Sequence, residues 1–360
     1  MKIVIATPLY PPEIGGPATY SFLVAEELPK RGIGVVVVKF SDVRWWPKGI
    51  RHLFYLLKLV RSARGANLIY AQDSVSVGLP AMIVSRLMRK KFFLRLPGDF
   101  AWEQGVQRFG VKENIDEFQS KKYFGALGFI RYIQKTVARS ADLVIVPSDY
   151  FLSVVAKWGV SQKKIVRIYN GIRSVINVHE DTAKSIKDRF FISAGRLVPW
   201  KGFDCLIEIM VFFPEFKLVI VGSGPDLPRL RNHAVVHGVV DQIIFTGSLS
   251  KKQLTDKLRH ATLFLLHSSF ESFSFQVVEA MATGVPVVLA NIGSLPELVA
   301  DGVSGYLVPF GNKELLIDRI KKICDQPDTA RSFSRLGRLR AEQFTIERTL
   351  SELQRALTRF

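Results

Sequence analysis

Short unbroken apolar runs recur along the chain, each followed by a glycine-bearing or polar loop and then a stretch with helical spacing. The first run, Lys2-Ile3-Val4-Ile5-Ala6, ends at Pro8, Pro11 and Pro12, and a glycine pair, Gly15-Gly16, leads into a helical stretch from about Pro17 to Leu28. Further strands are predicted at Val35-Val36-Val37-Val38, Leu68-Ile69-Tyr70, Phe92-Phe93-Leu94 and Leu143-Val144-Ile145-Val146. Runs that do not alternate with polar residues belong to strands covered on both faces, which makes the sheet parallel and the pattern doubly wound α/β.

The alternation restarts after Asn170-Gly171. A second series reads Phe190-Phe191-Ile192-Ser193-Ala194, Leu218-Val219-Ile220-Val221, Ile243-Ile244-Phe245, Leu263-Phe264-Leu265-Leu266 and Val285-Pro286-Val287-Val288-Leu289. The polar, mixed-charge segment Val178 to Arg189 reads as a linker. The expectation is two Rossmann-like domains, residues 1–171 and 172–344, with a C-terminal helix over about 345–360 packing back on the first.

Length and composition narrow the class. A chain of 360 residues with 48% hydrophobic content is long enough for two cores and too apolar for disorder. Cys205 and Cys324 suggest reduced thiols rather than a disulfide framework. The start, MKIVIATPLYPP, is too short in apolar residues for a signal-peptide core, and no run approaches the roughly 18 apolar residues of a spanning helix. The expected location is therefore cytoplasmic. The net charge of +18 is unevenly held. Residues 1–170 carry 26 Lys+Arg against 12 Asp+Glu, and the remaining 190 carry 24 against 20. The first half is a strongly basic body, suited to anionic lipid, nucleic acid or an acidic small molecule; ordinary solubility is the plain alternative.

Loops that leave the carboxyl ends of the second-domain strands are where ligands bind in open α/β sheets. Gly195-Arg196-Leu197-Val198-Pro199-Trp200-Lys201-Gly202 sets two cations five residues apart beside glycines, a pair able to neutralise a diphosphate or simply to be solvated. Gly222-Ser223-Gly224-Pro225 either lets a ligand approach the backbone or makes a tight turn, and it lacks the dinucleotide-binding glycine spacing. The loop from His267 into Phe275 ends a buried strand and opens a helix that Ser272 or Ser274 can cap. The N–H groups of Phe273, Ser274 and Phe275 there form an anion site by geometry and dipole. Glu271 stands before that helix and Glu279 two turns into it. A carboxylate suits sugar hydroxyls at the first position and a ribose diol at the second; alone, either glutamate is an ordinary surface residue. No His/Asp/Glu cluster has clear metal-ligand spacing.

Taken together, Glu271-x7-Glu279 followed by Ala-Met-Ala-x-Gly-x-Pro-Val-Val closely resembles the signature of the GT4-type retaining glycosyltransferases. Gly15-Gly16, Asn170-Gly171, Gly195-Arg196 through Lys201-Gly202, Phe245-Thr246-Gly247, Gly293-Ser294-Leu295-Pro296-Glu297 and Asp301-Gly302-x-x-Gly305 extend the resemblance over essentially the whole chain. It implies the GT-B fold, two Rossmann-like doubly wound domains facing across a cleft. It also implies a hexosyltransferase that uses a UDP- or GDP-sugar as donor and needs neither cofactor nor metal. By this resemblance Arg196 and Lys201 grip the donor diphosphate and stabilise the charge on the leaving nucleotide. Glu279 binds the ribose, and Glu271 holds hydroxyls of the transferred sugar beside the N–H groups of Phe273, Ser274 and Phe275. Gly15 and Gly16 approach the phosphates from the first domain, and Thr246, Gly247 and Leu249 lie against the base. Pro97 stands where many members carry a histidine. Asp99 is then the candidate to orient the acceptor or accept its proton, or else a turn residue after Gly98.

Two further segments bear on the acceptor. Trp45 to Arg61 and Lys121 to Tyr132 mix aromatic, apolar and basic residues, as an interfacial anchor does; a buried Rossmann helix explains the first equally. With the basic first domain they point to a peripheral enzyme on the inner face of a membrane, acting on an acidic or lipid-linked glycan acceptor in envelope polysaccharide synthesis. Nucleic acid is not expected, because no recognised motif or stacking platform appears. Two alternatives remain: a nucleotide-sugar epimerase of the same fold, and a catalytically silent partner subunit.

Overall fold

A computed structural model of the protein describes residues 1–13, 15–47, 50–173 and 189–359. The linker expected from Val178 to Arg189 falls outside these residues except for Arg189, as do Lys48 and Gly49 of the Trp45–Arg61 segment.

The apolar runs become parallel strands because both of their faces are covered. Among the described residues there are twelve, six in each of two sheets. The first sheet holds β1 (Lys2–Thr7), β2 (Gly34–Lys39), β3 (Leu68–Ala71), β4 (Lys91–Arg95), β5 (Leu143–Val146) and β6 (Ile165–Arg167), in the order β2-β1-β3-β4-β5-β6. The central β3 and β5 are buried at every position, whereas the valines Val35 to Val37 of edge strand β2 are half-buried. The second sheet holds β7 (Phe190–Ala194), β8 (Lys217–Val221), β9 (Ile243–Gly247), β10 (Leu263–Leu266), β11 (Val287–Ala290) and β12 (Tyr306–Val308), ordered β12-β11-β10-β7-β8-β9.

Helices cross over between these strands. In the first half they are α1 (Gly16–Glu27), α2 (Ile50–Ala63), α3 (Gly78–Leu87), α4 (Phe100–Arg108), α5 (Ile115–Ser120), α6 (Gly125–Ser140) and α7 (Asp149–Ala156). In the second they are α8 (Phe203–Glu208), α9 (Leu227–Val236), α10 (Lys251–His260), α11 (Phe275–Thr283), α12 (Leu295–Leu298), α13 (Lys313–Asp325), α14 (Pro327–Ala341) and α15 (Ile346–Thr358). The two compact units are Met1–Asn170 with Thr349–Phe360, and Gly171–Arg348. The chain end is tied into the first unit: Thr349 Oγ1 donates to the Tyr169 carbonyl at 2.8 Å and Arg31 Nη1 to Ser351 Oγ at 3.1 Å. Leu350, Leu353 and Leu357, at three- and four-residue spacing on α15, are buried.

Each sheet reverses its direction of growth once, and the reversal places the site. In the second unit the chain builds outward from β7 through β8 to β9, then returns to put β10 on the other side of β7. The loops after β7 and β10 therefore diverge at a topological switch point, the crevice position for ligands in such sheets. Beneath it, Phe191 of β7 stacks on Phe216 at 4.4 Å and meets Phe213 edge-on at 5.3 Å, which anchors the central strand.

Candidate functional site

At the switch point of the second unit, Lys201 and Glu271 meet. Lys201 comes from the loop after β7 and Glu271 from the loop after β10. The Lys201 Nζ lies 2.5 Å from Glu271 Oε1, and the side chains are 14% and 6% exposed, so the pair is largely withdrawn from water. Ser268 Oγ donates to the same carboxylate oxygen at 2.9 Å. The Lys201 stem runs over Gly195, whose missing Cβ would lie 3.7 Å from Lys201 Cδ. Arg196 is exposed on the same loop, and among the described residues no ion pair holds it.

Glycine lets these loops close on one another. Gly202 has φ +64°, and a Cβ there would sit 1.9 Å from the His267 carbonyl oxygen. That left-handed backbone and that contact both exclude a side chain. Gly222 and Gly224 do the same for the neighbouring loop: a Cβ at Gly222 would lie 1.9 Å from the Gly195 oxygen, and one at Gly224 2.2 Å from that of Leu197. Beside the two readings open for Gly222-Ser223-Gly224, ligand approach and a tight turn, the glycines serve a third purpose, packing loop on loop. Sequence spacing could not show this, because the partner lies about 27 residues upstream.

Ser274, rather than Ser272, caps α11, its Oγ accepting from the Val277 N–H at 3.4 Å. No acidic residue occupies the first turn of α11. The amino end keeps its partial positive charge, four residues after Glu271 in the same loop. Phe273 and Ser274 are buried and Phe275 half-buried, with the Phe273 ring 5.6 Å from Phe275 and 6.0 Å from Phe344. Further along α11, Glu279 is 14% exposed and accepts from Lys251 Nζ at 2.8 Å. Lys251 opens α10, which Ser250 and Gln253 start with a reciprocal capping box. Thr246 and Gly247 end β9. Gly247 (φ +70°) has open space where a Cβ would be, and Leu249 is half-buried. Ser248 Oγ lies 3.0 Å from Ser223 Oγ, which joins this loop to the Gly222 loop.

Three contributors escaped the sequence reading: Ser268, Lys251 and His267. Ser268 stands three residues before Glu271 in plain view, but only the turn of the loop aims it. His267 is buried, its Nε2 accepts the Gly311 N–H at 3.0 Å and its ring stacks on Phe310 at 5.3 Å. Burial, opposed in part by Asp204, pushes its pKa down to about 4. The imidazole is thus a neutral strut in the loop that carries Glu271.

In the first unit, Gly15 (φ +150°) precedes α1 and Gly16 is its first residue, again without an acidic side chain in the first turn. Asp99 is built into the packing of this unit. It is fully buried and caps α4: Oδ1 accepts from the Trp102 N–H at 3.0 Å and from Gln134 Nε2 at 2.8 Å, and Oδ2 from Gln119 Nε2 at 2.8 Å. A carboxylate so engaged holds helices α4, α5 and α6 together, and as the N-cap of α4 Asp99 has the structural role that the turn-residue alternative gives it.

The two aromatic-basic segments carry exposed apolar groups. Helix α2 buries Tyr55, Leu59 and Ala63 but leaves Leu53 (59%) and Leu57 (54%) exposed, and Trp45 (94%) is exposed in the preceding loop. Phe124, Phe129 and Tyr132 protrude from α6 and its start. Helix α3 packs against both α2 and α6, which puts all three on one face of the first sheet. Among the described residues no helix is long and apolar enough to cross a membrane.

Comparison with known proteins agrees with this architecture. The family model for the glycosyl transferase 4-like domain matches residues 3–171, and that for glycosyl transferases group 1 matches residues 175–340. A D-inositol 3-phosphate glycosyltransferase of Mycolicibacterium smegmatis is 30% identical over 252 residues, 62% of this chain and 55% of that protein. A mannosylfructose-phosphate synthase of Agrobacterium fabrum is 28% identical over 266 residues, 67% of this chain and 57% of that protein. The chain thus spans little more than half the length of these relatives. Among solved structures, Anabaena HepE in complex with UDP-glucose superposes over 100% of both chains with a TM-score of 0.80 at 20% identity, which speaks for the fold. With one half matching each of two glycosyltransferase domains, and two six-stranded parallel sheets in the GT-B arrangement of strands, the chain belongs to the GT4-type glycosyltransferase family.

Proposed function

We propose that the chain is a retaining glycosyltransferase that moves a sugar from a UDP- or GDP-sugar to a hydroxyl of an acidic or lipid-linked acceptor. The observation that carries this reading is the Lys201–Glu271 pair at the switch point of the second unit. A cation and a carboxylate, fixed side by side and half a loop from the acid-free start of α11, match a diphosphate joined to a sugar. Lys201, the exposed Arg196 and the amino end of α11 take the diphosphate; Glu271 takes sugar hydroxyls; Glu279 releases Lys251 to accept from the ribose diol. Thr246, Gly247 and Leu249 border the base. The first unit takes the acceptor.

In the reaction, the bond from the anomeric carbon to the β-phosphate oxygen breaks, and the acceptor oxygen bonds to the same face. The acceptor proton goes to the departing phosphate oxygen. Because Asp99 is occupied as a cap, the leaving group itself is the base assigned here. The two cations stabilise charge that grows only as the nucleotide leaves, which is where preset electrostatics lower the barrier. They do the work that a bound metal does elsewhere, so no metal or other cofactor is required in this reading.

Support for the acceptor comes from two sources. The first 170 residues hold an excess of 14 positive charges, from 26 Lys+Arg and 12 Asp+Glu. The exposed Trp45, Leu53, Leu57, Phe124 and Phe129 are apolar groups interspersed along the sequence with lysine and arginine, a composition suited to the inner surface of a membrane. A relative named for a phosphorylated inositol acceptor and a fold neighbour crystallised with UDP-glucose are consistent with both ends of the proposal. The test is a panel of UDP-, GDP- and ADP-sugars, read by thermal stabilisation and by release of nucleoside diphosphate. One donor class should stabilise the protein and be slowly hydrolysed, and release of nucleotide separates transfer from epimerisation. A panel in which nothing binds removes the proposal.

A further inference from the structure

On the second unit, away from the loops of the switch point, three potential metal ligands converge. His233 and His237 stand one helical turn apart at the end of α9, and Glu208 ends α8. One ligand atom from each lies within 4.8 Å of the others. The imidazole rings are 4.2 Å apart, and His233 Nε2 is 2.9 Å from Glu208 Oε1. His237 Nδ1 lies 2.9 Å from the His233 carbonyl oxygen. A carbonyl only accepts, so Nδ1 carries the proton and Nε2 of His237 keeps its lone pair. This is how a backbone carbonyl orients a metal-binding imidazole and fixes its tautomer.

We propose that Glu208, His233 and His237 bind a divalent transition metal, zinc foremost. Two imidazole nitrogens and one carboxylate oxygen suit zinc and its neighbours rather than magnesium or calcium, which prefer oxygen alone. Zinc bonds of about 2.0–2.1 Å place ligand atoms about 3.4 Å apart in a tetrahedron, so side-chain rotation suffices to close the set. The ion replaces the proton that His233 shares with Glu208. A shallow groove lined by Glu208, His237, Ile209, Phe212 and Ile317 leaves the fourth position open to water. Lys313 pairs with Glu208 Oε2 and opposes the ion by its charge. It remains on the oxygen that the metal does not need, and it makes the site weaker than a bare triad. The bound ion clips the end of α8 to the end of α9. Since α8 begins two residues after Lys201, the clip braces the helix behind the loop that carries that lysine.

The test is calorimetric titration of the full chain, freed of metal with a chelator, with zinc chloride, beside melts in zinc chloride and in magnesium chloride. One zinc per chain should bind and raise the melting temperature, and magnesium should do neither. His233→Ala and His237→Ala should each weaken zinc binding by more than the roughly 10–100-fold that loss of an outer-shell partner costs. Lys313→Ala, which removes a competing positive charge, should strengthen it. No saturable zinc binding, or binding that survives the double histidine variant, overturns the proposal. So does a Lys313→Ala variant with weaker zinc affinity, because it would make the lysine part of the site.

Discussion

Lys201→Ala perturbs stability and chemistry by different routes, and the two can be read apart. The ammonium and the Glu271 carboxylate are 2.5 Å apart with side chains 14% and 6% exposed. Removing the lysine leaves a carboxylate withdrawn from water with, among the described residues, Ser268 Oγ as its side-chain donor. Breaking such a pair from one side costs about 3–5 kcal/mol. For a unit of this size each kcal/mol shifts the melting temperature by roughly 2–4 °C, so a fall of roughly 6–20 °C is expected. The double variant Lys201→Met with Glu271→Gln removes both charges, keeps the volume and should recover most of that loss. Turnover should not recover, because a preset cation opposite a developing phosphate charge contributes about 10²–10³ in rate. Calorimetric melts of the wild type, both single variants and the double variant give the coupling energy; nucleoside diphosphate release at saturating donor gives turnover. A single variant that melts with the wild type would falsify the idea of a desolvated pair. A double variant as active as the wild type would remove Lys201 from the reaction.

Four other outcomes are expected. Glu279→Ala should weaken donor binding about tenfold, as loss of a ribose contact does, yet barely alter the melt, because its Lys251 partner is 52% exposed; titration with the nucleoside diphosphate and a melt decide both. Gly202→Ala should lower stability by about 3 kcal/mol or more, from left-handed strain and the clash with the His267 oxygen, and soluble yield with a denaturant curve checks it. His267 is held at a pKa of about 4 against an ordinary 6.5. The unfolded chain therefore takes up its proton first as pH falls, and stability present above pH 6.5 declines towards pH 4 by on the order of 3 kcal/mol. His267→Gln should flatten that part of the stability profile. Sedimentation with anionic liposomes should fall as salt rises, and Trp45→Ala with Phe124→Ala should reduce it at low salt; equal sedimentation by the variant would remove that face from the contact.

The strands were legible because burial on both faces writes itself as unbroken apolar runs, as at Leu143 to Val146 and Leu263 to Leu266. The three-residue strands Ile165–Arg167 and Tyr306–Val308 were not, since so short a run has no period. The two ends of the candidate site were named from the sequence, but the contact between them was not. Lys201 and Glu271 are 70 residues apart, and only the reversal of strand order at β7 and β10 brings them together. Asp99 is a different case. A polar residue after glycine near a strand end is open to two readings, a base and a turn residue, and its cap on α4 with the bonds from Gln119 and Gln134 forms only when later helices arrive. Helix α2 stood between two readings because its apolar residues circle the axis; the fold buries Tyr55 and Leu59 and leaves Leu53 and Leu57 outside.

The glycine contacts that weld the loops after β7, β8 and β10 have a consequence for how this scaffold can change its donor. At Gly202, Gly222 and Gly224 in that seam a Cβ would meet a backbone oxygen at 1.9–2.2 Å, so no side chain can be introduced at these three positions. The neighbouring rim is different: space stands open beside Gly247, Ser248 is exposed and Leu249 half-buried. In the proposed reading, where this rim borders the base, divergence in base preference would fall on Ser248 and Leu249, with Gly247 itself held to glycine by its φ of +70°.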